Sequence, residues 1–522
     1  MDFFDKTSNV LMFCQTSNFH NNISKTYHNN PSKPLNCKTI QPTNSPKMKK
    51  LLFLLTLLFS ILNQSFCQDI EKELTQSFKN YTTISDKIWQ LAEPGYLEEK
   101  TSELLMNELK NAGFDIQKGV GEMSTAFVAS YGSGYPTIAI LAEMDALPGL
   151  SQEAVPFKKA KYPNAYGHAC GHNLFGVGSV AAAIATKNWM QKANVKGTIQ
   201  LIGTPAEEGA GGGKTYLVQE GIFKDVDAVL HWHPGDNNNA SPNSSLAYRV
   251  ANFSFEGLAA HASASPEKGR SALDAVEAMN HMVNLMREHI SPETRIHYVI
   301  KNGGLTSNIV PDYAMVEYTV RNPTAQGLEE TWQRVIKTAQ AAALGTETKM
   351  SFEILAGLYN LLPNDILAKE MQKSLEQVGG VKYTPEEKDF ADKIRLTVNA
   401  QSLAPVTTAQ EVRNYTSGLS FPASTDVGDV SWVVPTAGLS TATWVPGVPA
   451  HSWQAVACNG MSIGHKGMMN AAQTIALTAQ NLYKNTKLIE QSKEELYQRR
   501  GSKVFGYKSL AGDRKPPLNY RR

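Results

Sequence analysis

The chain has 522 residues, a formal net charge of +2 and an apolar content of 42%. This length allows roughly two to three domains with ample hydrophobic cores. A nucleic-acid-binding protein needs a basic face, so a net charge this close to zero gives no support for that class.

The N-terminal region is predicted to be removed from the mature protein. Two lysines precede an apolar run over residues 51–62, and polar or small residues follow it. A positive start, an apolar centre of about 7–15 residues and small residues at the end are typical of a signal peptide. We therefore predict a non-native extension over 1–47, a true start at Met48, a signal peptide over 48–67, and an exported protein that is periplasmic or secreted. A lipid anchor on Cys67 is the alternative.

Residues 69–245 alternate strand-like and helix-like patterns. Short apolar runs at 137–142, 198–203 and 226–230 predict strands, and residues 173–192 have the composition and period of a helix. Strands separated by helices indicate an α/β domain with a mostly parallel sheet.

The pattern changes over residues 246–363. Alternation over 249–256 and 314–320 predicts strands, whereas 271–288 and 329–343 have helical periodicity. This order is typical of a small sheet with helices on one face, so we predict an inserted α+β domain.

The α/β pattern returns over residues 364–490. It includes a strand predicted at 440–445 and a helix predicted at 467–483. Residues 491–522 form a charged C-terminal tail. Only Cys170 and Cys458 fall after residue 67, and two cysteines do not make a disulfide framework.

The first residues with chemical potential follow the first predicted strand. Asp145 comes just past it, and Cys170 and His172 begin the next predicted helix. Ligands gather beyond the carboxyl ends of strands in open α/β sheets. Thiolate and imidazole are good zinc ligands, although a buried thiol beside a capping histidine is the other interpretation.

Three later segments add carboxylates and imidazoles. Glu207 and Glu208 follow the strand at 198–203, His231 and His233 follow the strand at 226–230, and His451 lies in a loop. Adjacent glutamates are usually a surface turn. In a metal site, however, one can bind the ion while the other holds the attacking water as a general base.

The glycine-rich stretch 209–214 does not predict a nucleotide site. A phosphate loop needs glycine five positions before Gly213, and this chain has Glu208 there, which would repel phosphate. The thiol, imidazoles and carboxylates together exceed the four ligands that a structural zinc typically needs. They fit two neighbouring metal ions instead.

Taken in order, the motifs Met-Asp-Ala-Leu-Pro, His-Ala-Cys-Gly-His, Pro-Ala-Glu-Glu-Gly, Trp-His-Pro and Pro-Ala-His resemble the aminoacylase/carboxypeptidase-G metallopeptidase family. Within it, the chain is most similar to the amidohydrolase branch that acts on auxin and aminobenzoyl-glutamate conjugates. The resemblance implies a metallopeptidase catalytic domain with a mostly parallel sheet and an inserted lid and dimerisation domain.

The resemblance also implies roles for the residues of these motifs. Two divalent ions, Zn²⁺ or Mn²⁺, would be held by Cys170 as a bridging thiolate and by His172, Glu208, His233 and His451. Glu207 would be the general base that deprotonates the attacking water and then protonates the leaving amine. Asp145 would orient a group of the metal site. His231 is the alternative ligand to His233, which matches the family motif.

In the inserted domain, the resemblance implies that His261 reaches the active site of a partner subunit in a homodimer. There it would stabilise the tetrahedral oxyanion. Asn308 and Arg321 are candidates for binding the substrate carboxylate, because arginine binds carboxylates through two hydrogen bonds. Asp426 and Asp429 receive no role.

The implied reaction is cleavage of the amide bond of N-acyl amino acids, such as p-aminobenzoyl-glutamate or similar conjugates. A dipeptidase or general aminoacylase is the alternative enzyme, and an exported non-catalytic binding protein is the alternative of another class. The chain departs from many relatives at Asn173 and Glu143, where they have aspartate. We expect both changes to affect substrate choice more than chemistry.

Overall fold

The computed structural model describes residues 70–209, 212–398 and 404–520, which fold around two β-sheets. The predicted extension and signal peptide lie outside these residues. Among the described helices, none is both long and apolar enough to cross a membrane.

The larger sheet has six strands in the order β1-β2-β4-β3-β5-β10. Neighbouring strands among β4, β3, β5 and β10 pair in parallel, whereas β2 pairs antiparallel with both β4 and β1. The sheet is therefore mostly parallel, as predicted. Its strands are β1 (Asp115–Lys118), β2 (Phe127–Ser133), β3 (Thr137–Glu143), β4 (Gly197–Thr204), β5 (Ala228–Gly235) and β10 (Thr436–Ala442).

Helices cover both faces of this sheet. On one face lie α1 (70–91), α2 (Glu99–Asn111), α3 (His172–Lys192), α7 (Asp365–Val378) and α11 (Ser462–Lys484); on the other lie α4 (Gly213–Gln219) and α9 (Val427–Val433). Strand β3 shows why the sequence requires this arrangement. Ile138 and Ile140 pack into the first core, while Ala139 and Leu141 pack into the second. An apolar run without alternation is typical of a strand buried on both faces.

Strand β5 corrects one prediction. His231 and His233 lie within the strand rather than just past it, because pairing with β10 continues the ladder as far as Gly235. Strand β10 also begins four residues before the predicted start. Its predicted last residues, Trp444 and Val445, belong to a separate apolar cluster around α8 (Pro385–Arg395) and α10 (Trp453–Asn459).

The smaller sheet carries the inserted domain, here called the lid (residues 247–358). Its strands β6 (Ala247–Glu256), β7 (Arg295–Asn302), β8 (Tyr313–Asn322) and β9 (Lys349–Leu358) are antiparallel in the order β7-β8-β6-β9. Helices α5 (Ala272–Met286) and α6 (Ala325–Thr346) share an apolar core with this sheet. The side chains of Ser271 and Thr324 cap them, each accepting a backbone N–H bond. This order agrees with the predicted alternation of strands and helices.

The last regular element is α12 (Lys487–Arg500), which crosses the predicted start of the tail at residue 491. Residues 501–520, here called the tail segment, follow it without further helix or strand.

Strand β10 is packed too closely against β5 to accept a side chain at Gly438. A Cβ there would overlap the ring of His231. We predict that Gly438→Ala lowers the free energy of unfolding by about 1–3 kcal/mol, since overpacking displaces neighbouring atoms. Urea unfolding of chelator-treated protein measures this. Gly345→Ala is the control: it lies in α6 with open space around it, and alanine there should be neutral or slightly stabilising.

Candidate metal centre

Four segments converge beyond the carboxyl ends of strands β3 and β4. Asp145 lies just past β3, residues 205–208 follow β4, Cys170 and His172 stand at the start of α3, and His451 precedes α10. Together with His233 on β5, they bring into one place the residues that the sequence predicts as metal ligands. We call Cys170, His172, Glu208, His233 and His451 the metal cluster and residues 205–208 the metal loop.

Two histidines of the cluster direct the same ring nitrogen inward. Nδ1–H of His172 donates to the backbone and carboxylate oxygens of Asp145, both at 3.0 Å, and Nδ1–H of His233 donates to the carbonyl of Pro234 at 2.7 Å. With Nδ1 used in these bonds, Nε2 is the atom through which each ring would bind a metal.

The thiol of Cys170 belongs to two groups of potential ligands. It lies 3.3 Å from Nε2 of His233, in a group with His172, and it forms a second group with Glu208 and His451. In the second group, Oε1 of Glu208 lies 3.2 Å from Nε2 of His451. Within each group the ligand atoms are within 4.8 Å of one another. A thiolate shared by two groups is the geometry that a bridging ligand requires.

Glu143 is a further potential ligand that the sequence reasoning missed. Its Oε2 atom lies 3.1 Å from Nε2 of His172, and the two residues form a third group with Glu207. We expected the change at this position to affect substrate choice. The Glu143 carboxylate lies against the metal cluster, and the expected effect on substrate choice stays a prediction. Its position at the end of β3, two residues before Asp145, was the signal that could have identified it.

Metal ions fit these residues, because several buried atoms lack a partner. Oε2 of Glu143, Nε2 of His172 and Oε1 of Glu208 are buried and have no hydrogen-bond partner among the described residues. Buried polar atoms are almost always hydrogen-bonded, so unpartnered atoms that face one another indicate a missing ligand. Thiolate, imidazole and carboxylate suit Zn²⁺ and other divalent transition metals.

A buried lysine, Lys214, forms an ion pair with Glu143. Nζ of Lys214 lies 2.7 Å from Oε1 of Glu143 and 2.6 Å from Oδ1 of Asp426, and all three side chains are at most 1% exposed. The backbone N–H of Lys214 also donates to Asp426, at 2.9 Å. Burial acts to raise the pKa of Glu143, but the charge of Lys214 beside it holds it well below its ordinary value.

The pKa values of Glu207 and Cys170 shift in the opposite direction, upward. Burial and the negative charge of Glu143 raise the pKa of Glu207 well above its ordinary value. Burial and the charge of Glu208 likewise raise the pKa of the Cys170 thiol. Without cations, the site therefore holds more negative groups than it can keep ionised, which is a further reason that divalent ions fit it.

The metal loop is held by side chains from other segments. Oε1 of Glu98 accepts the N–H of Ala206 at 2.8 Å, and Oδ2 of Asp145 accepts the N–H of Glu208 at 2.9 Å. Asp145 thus binds both His172 and the metal loop, and its role in the metal site stays a prediction. Burial and the charge of Asp145 raise the pKa of Glu98 to about 8. The sequence around Glu98 gave no signal for this role.

The remaining predicted site residues lie elsewhere. His231 is on the same strand as His233, its ring packs against Gly438, and burial lowers its pKa to about 4. His261 and Asn308 are exposed on neighbouring loops of the lid, and His261 Nδ1 accepts the N–H of Ala264 at 3.1 Å. Arg321 lies at the junction of the lid with the larger part, where it donates to Ser424 Oγ at 2.9 Å.

The chain is similar to several known proteins. Residues 139–412 match the model of "Peptidase family M20/M25/M40". One subunit of the p-aminobenzoyl-glutamate hydrolase of Escherichia coli K12 is 38% identical over 457 residues, covering 83% of this chain and 95% of that protein. A mouse Xaa-Arg dipeptidase is 28% identical, covering 81% of this chain and 90% of that protein.

Among solved structures, the fold is similar to that of a Bacillus subtilis protein described as a dinuclear metal binding peptidase. The TM-score is 0.54 at 17% identity, and the match covers 78% of this chain and 99% of the other.

The buried charges around Lys214 give a prediction about stability. Lys214→Met leaves two buried carboxylates without their counter-ion, so we predict a loss of about 3–5 kcal/mol in the free energy of unfolding. Adding Asp426→Asn should recover part of the loss, because it removes one unpaired charge. Urea unfolding of metal-loaded protein measures both. As a control, Lys393→Met removes an exposed ion pair to Asp389 and should cost at most about 0.5 kcal/mol. A single Lys214 variant as stable as this control would contradict the charge pairing.

Proposed function

The chain belongs to peptidase family M20/M25/M40, and we propose on this premise that it cleaves the amide bond of N-acyl amino acids, with p-aminobenzoyl-glutamate or a similar conjugate as substrate. The observation that carries the proposal is the convergence of the metal cluster on one place, with Glu207 beside it. The 38% identity to the E. coli hydrolase supports the choice of substrate class.

We propose that Cys170, His172, Glu208, His233 and His451 would hold two divalent cations, Zn²⁺ or Mn²⁺. When bound, such ions polarise the scissile carbonyl and make water a stronger nucleophile at neutral pH. The protein supplies the orientation: Asp145 fixes the ring of His172, and the carbonyl of Pro234 fixes that of His233.

Glu207 is the proton carrier in this proposal. It groups with Glu143 and His172, and its neighbour Glu208 belongs to the metal cluster, so its carboxylate faces the space in which the amide is attacked. There it removes a proton from the attacking water and delivers it to the leaving amine. Arg321 and Asn308 bind the carboxylate of the substrate, and His261 of a second subunit stabilises the oxyanion.

The surface of the lid supports a homodimer. Strand β7 is an edge of its sheet, and it exposes Tyr298, Val299 and Ile300, of which Val299 is 51% accessible. Leu285 on the adjacent helix is also exposed. An edge strand with exposed apolar side chains favours pairing with another chain.

We also propose export to the periplasm or the medium, on the basis of the positively charged start and apolar run before residue 62.

The role of Glu207 is tested with Glu207→Gln, which keeps the shape of the side chain and removes the base. We predict a fall in kcat of at least about a hundredfold with metal content unchanged. Turnover is measured on p-aminobenzoyl-glutamate, N-acetyl amino acids and dipeptides, with Zn²⁺ or Mn²⁺ loaded and metal content determined in parallel. Metal-loaded wild type that hydrolyses none of these amides would refute the function. A preference for dipeptides would assign the chain to the alternative enzyme class.

Mixing two inactive variants tests whether His261 acts across a dimer. Glu207→Gln and His261→Ala subunits, mixed and re-associated in equal amounts, should recover about a quarter of wild-type activity. Half of the dimers are then mixed, and each contains one complete site. Activity is measured before and after re-association, with size-exclusion chromatography to establish the dimer. If His261 served its own subunit, mixing would restore nothing.

A further inference from the structure

The tail segment crosses from the lid to the metal loop. At the lid, its Leu510 carbonyl accepts Nε–H of Arg249 at 2.9 Å, and Arg514 donates to the carbonyls of Ile354 and Leu355 in β9. Leu510 also packs directly against Gly357, where a side chain would not fit. The segment is therefore attached to the lid sheet through both backbone and side-chain contacts.

Tyr520, near the other end of the segment, reaches the metal loop. Its hydroxyl donates to the backbone carbonyl of Glu208 at 2.8 Å, and its ring meets that of Tyr96 edge to face at 5.7 Å. The fit is close: a Cβ added to Gly95 would lie 2.9 Å from both the Tyr520 hydroxyl and Cα of Ala206. Tyr520 thus contacts the backbone of a residue whose side chain belongs to the metal cluster.

The metal loop needs such support because its backbone is strained. Ala206 has φ = +57°, a left-handed conformation that is unfavourable for any residue with a side chain. Residues held in this way persist only when their surroundings determine them. Glu98 and Asp145 bind the N–H groups of Ala206 and Glu208, and Gly213 N–H donates to the carbonyl of Ala206 at 3.3 Å. Tyr520 binds the carbonyl of Glu208.

We propose that Tyr520 is a positioning residue for Glu207 and Glu208, acting through the Glu208 carbonyl. This inference rests on the proposed function. Asp145 holds the Glu208 backbone on the N–H side and Tyr520 holds it on the C=O side, so the two bonds together fix the direction of the Glu208 side chain. The same restraint fixes the position of the Glu207 side chain, because the backbone of Glu207 lies between Ala206 and Glu208. Loss of the hydroxyl bond lets the metal loop relax and weakens the hold of Glu208 on its cation.

Tyr520→Phe removes the hydroxyl and keeps the ring against Tyr96. The control is Lys515→Ala, which removes an exposed ion pair to Glu122, at 3.0 Å, in the same segment. We expect Tyr520→Phe to weaken the binding of Zn²⁺ or Mn²⁺ about three- to tenfold, the effect of losing one hydrogen bond. We expect a similar fall in kcat with KM unchanged. Lys515→Ala should match wild type in each respect.

Cation affinity is measured by competition with a chromophoric chelator, and ligand geometry by the visible absorption of the Co²⁺-loaded protein. Tyr520→Phe should alter this spectrum, which a purely structural role would leave unchanged. Wild-type affinity and spectrum in Tyr520→Phe would overturn the inference, as would an equal loss in Lys515→Ala. If wild type binds cations but hydrolyses no amide, the proposed function fails, while the affinity and spectrum still decide the role of Tyr520.

Discussion

Negative charge packed into a buried site is the constraint on which the rest of the structure depends. An ionised carboxylate in an apolar interior is costly unless a positive group lies beside it. Lys214 provides that group for Glu143 and Asp426, and it is itself wholly buried between them. Its charge does not compensate the carboxylates of the metal loop or Cys170 as a thiolate. Divalent cations would do so, and we therefore expect metal binding to stabilise the fold.

Backbone strain is the second feature of the site. Ala206 and His451 both have φ = +57°, and both adjoin or belong to the metal cluster. A left-handed conformation at a residue other than glycine costs of order 1–3 kcal/mol and is maintained by neighbouring bonds. The N–H of His451 donates to the carbonyl of Ala169 at 3.1 Å, one residue before Cys170. Bonds from residues outside the metal cluster, such as Glu98 and Ala169, therefore hold these strained residues in place.

The sequence predicted what depends on local pattern and could not predict what depends on distant contacts. The short spacing of Cys170 and His172, and the position of Glu207 and Glu208 after a strand, suggested a metal site, and the family resemblance then implied the ligands that the structure brings together. The mostly parallel sheet followed from apolar runs alternating with a helix. The end of β5 could not be predicted in this way, because pairing with β10 extends the strand through Pro234 and Gly235, residue types that are depleted in strands.

The supports of the site were not visible in the sequence. Lys214 lies in a glycine-rich stretch, and the only function considered for that stretch was nucleotide binding. Its partner Asp426 is more than two hundred residues away in the chain. Glu98 and Tyr520 contact the metal loop from opposite ends of the described chain. Such pairs depend on tertiary packing, which periodicity and spacing along the sequence do not encode.

The lid residues that the proposed function uses divide into two kinds by their place in the fold. Arg321 lies over the ring of Tyr248 at 5.0 Å and bonds to Ser424, so it faces the larger part of its own chain. His261 and Asn308 are exposed on adjoining loops, joined by the N–H of Ala262 donating to the carbonyl of Asn308 at 3.0 Å. This bond holds the two loops side by side on the lid surface. Under the proposed function, His261 and Asn308 therefore act from one place on that surface, whereas Arg321 acts from the junction with the larger part of its own chain.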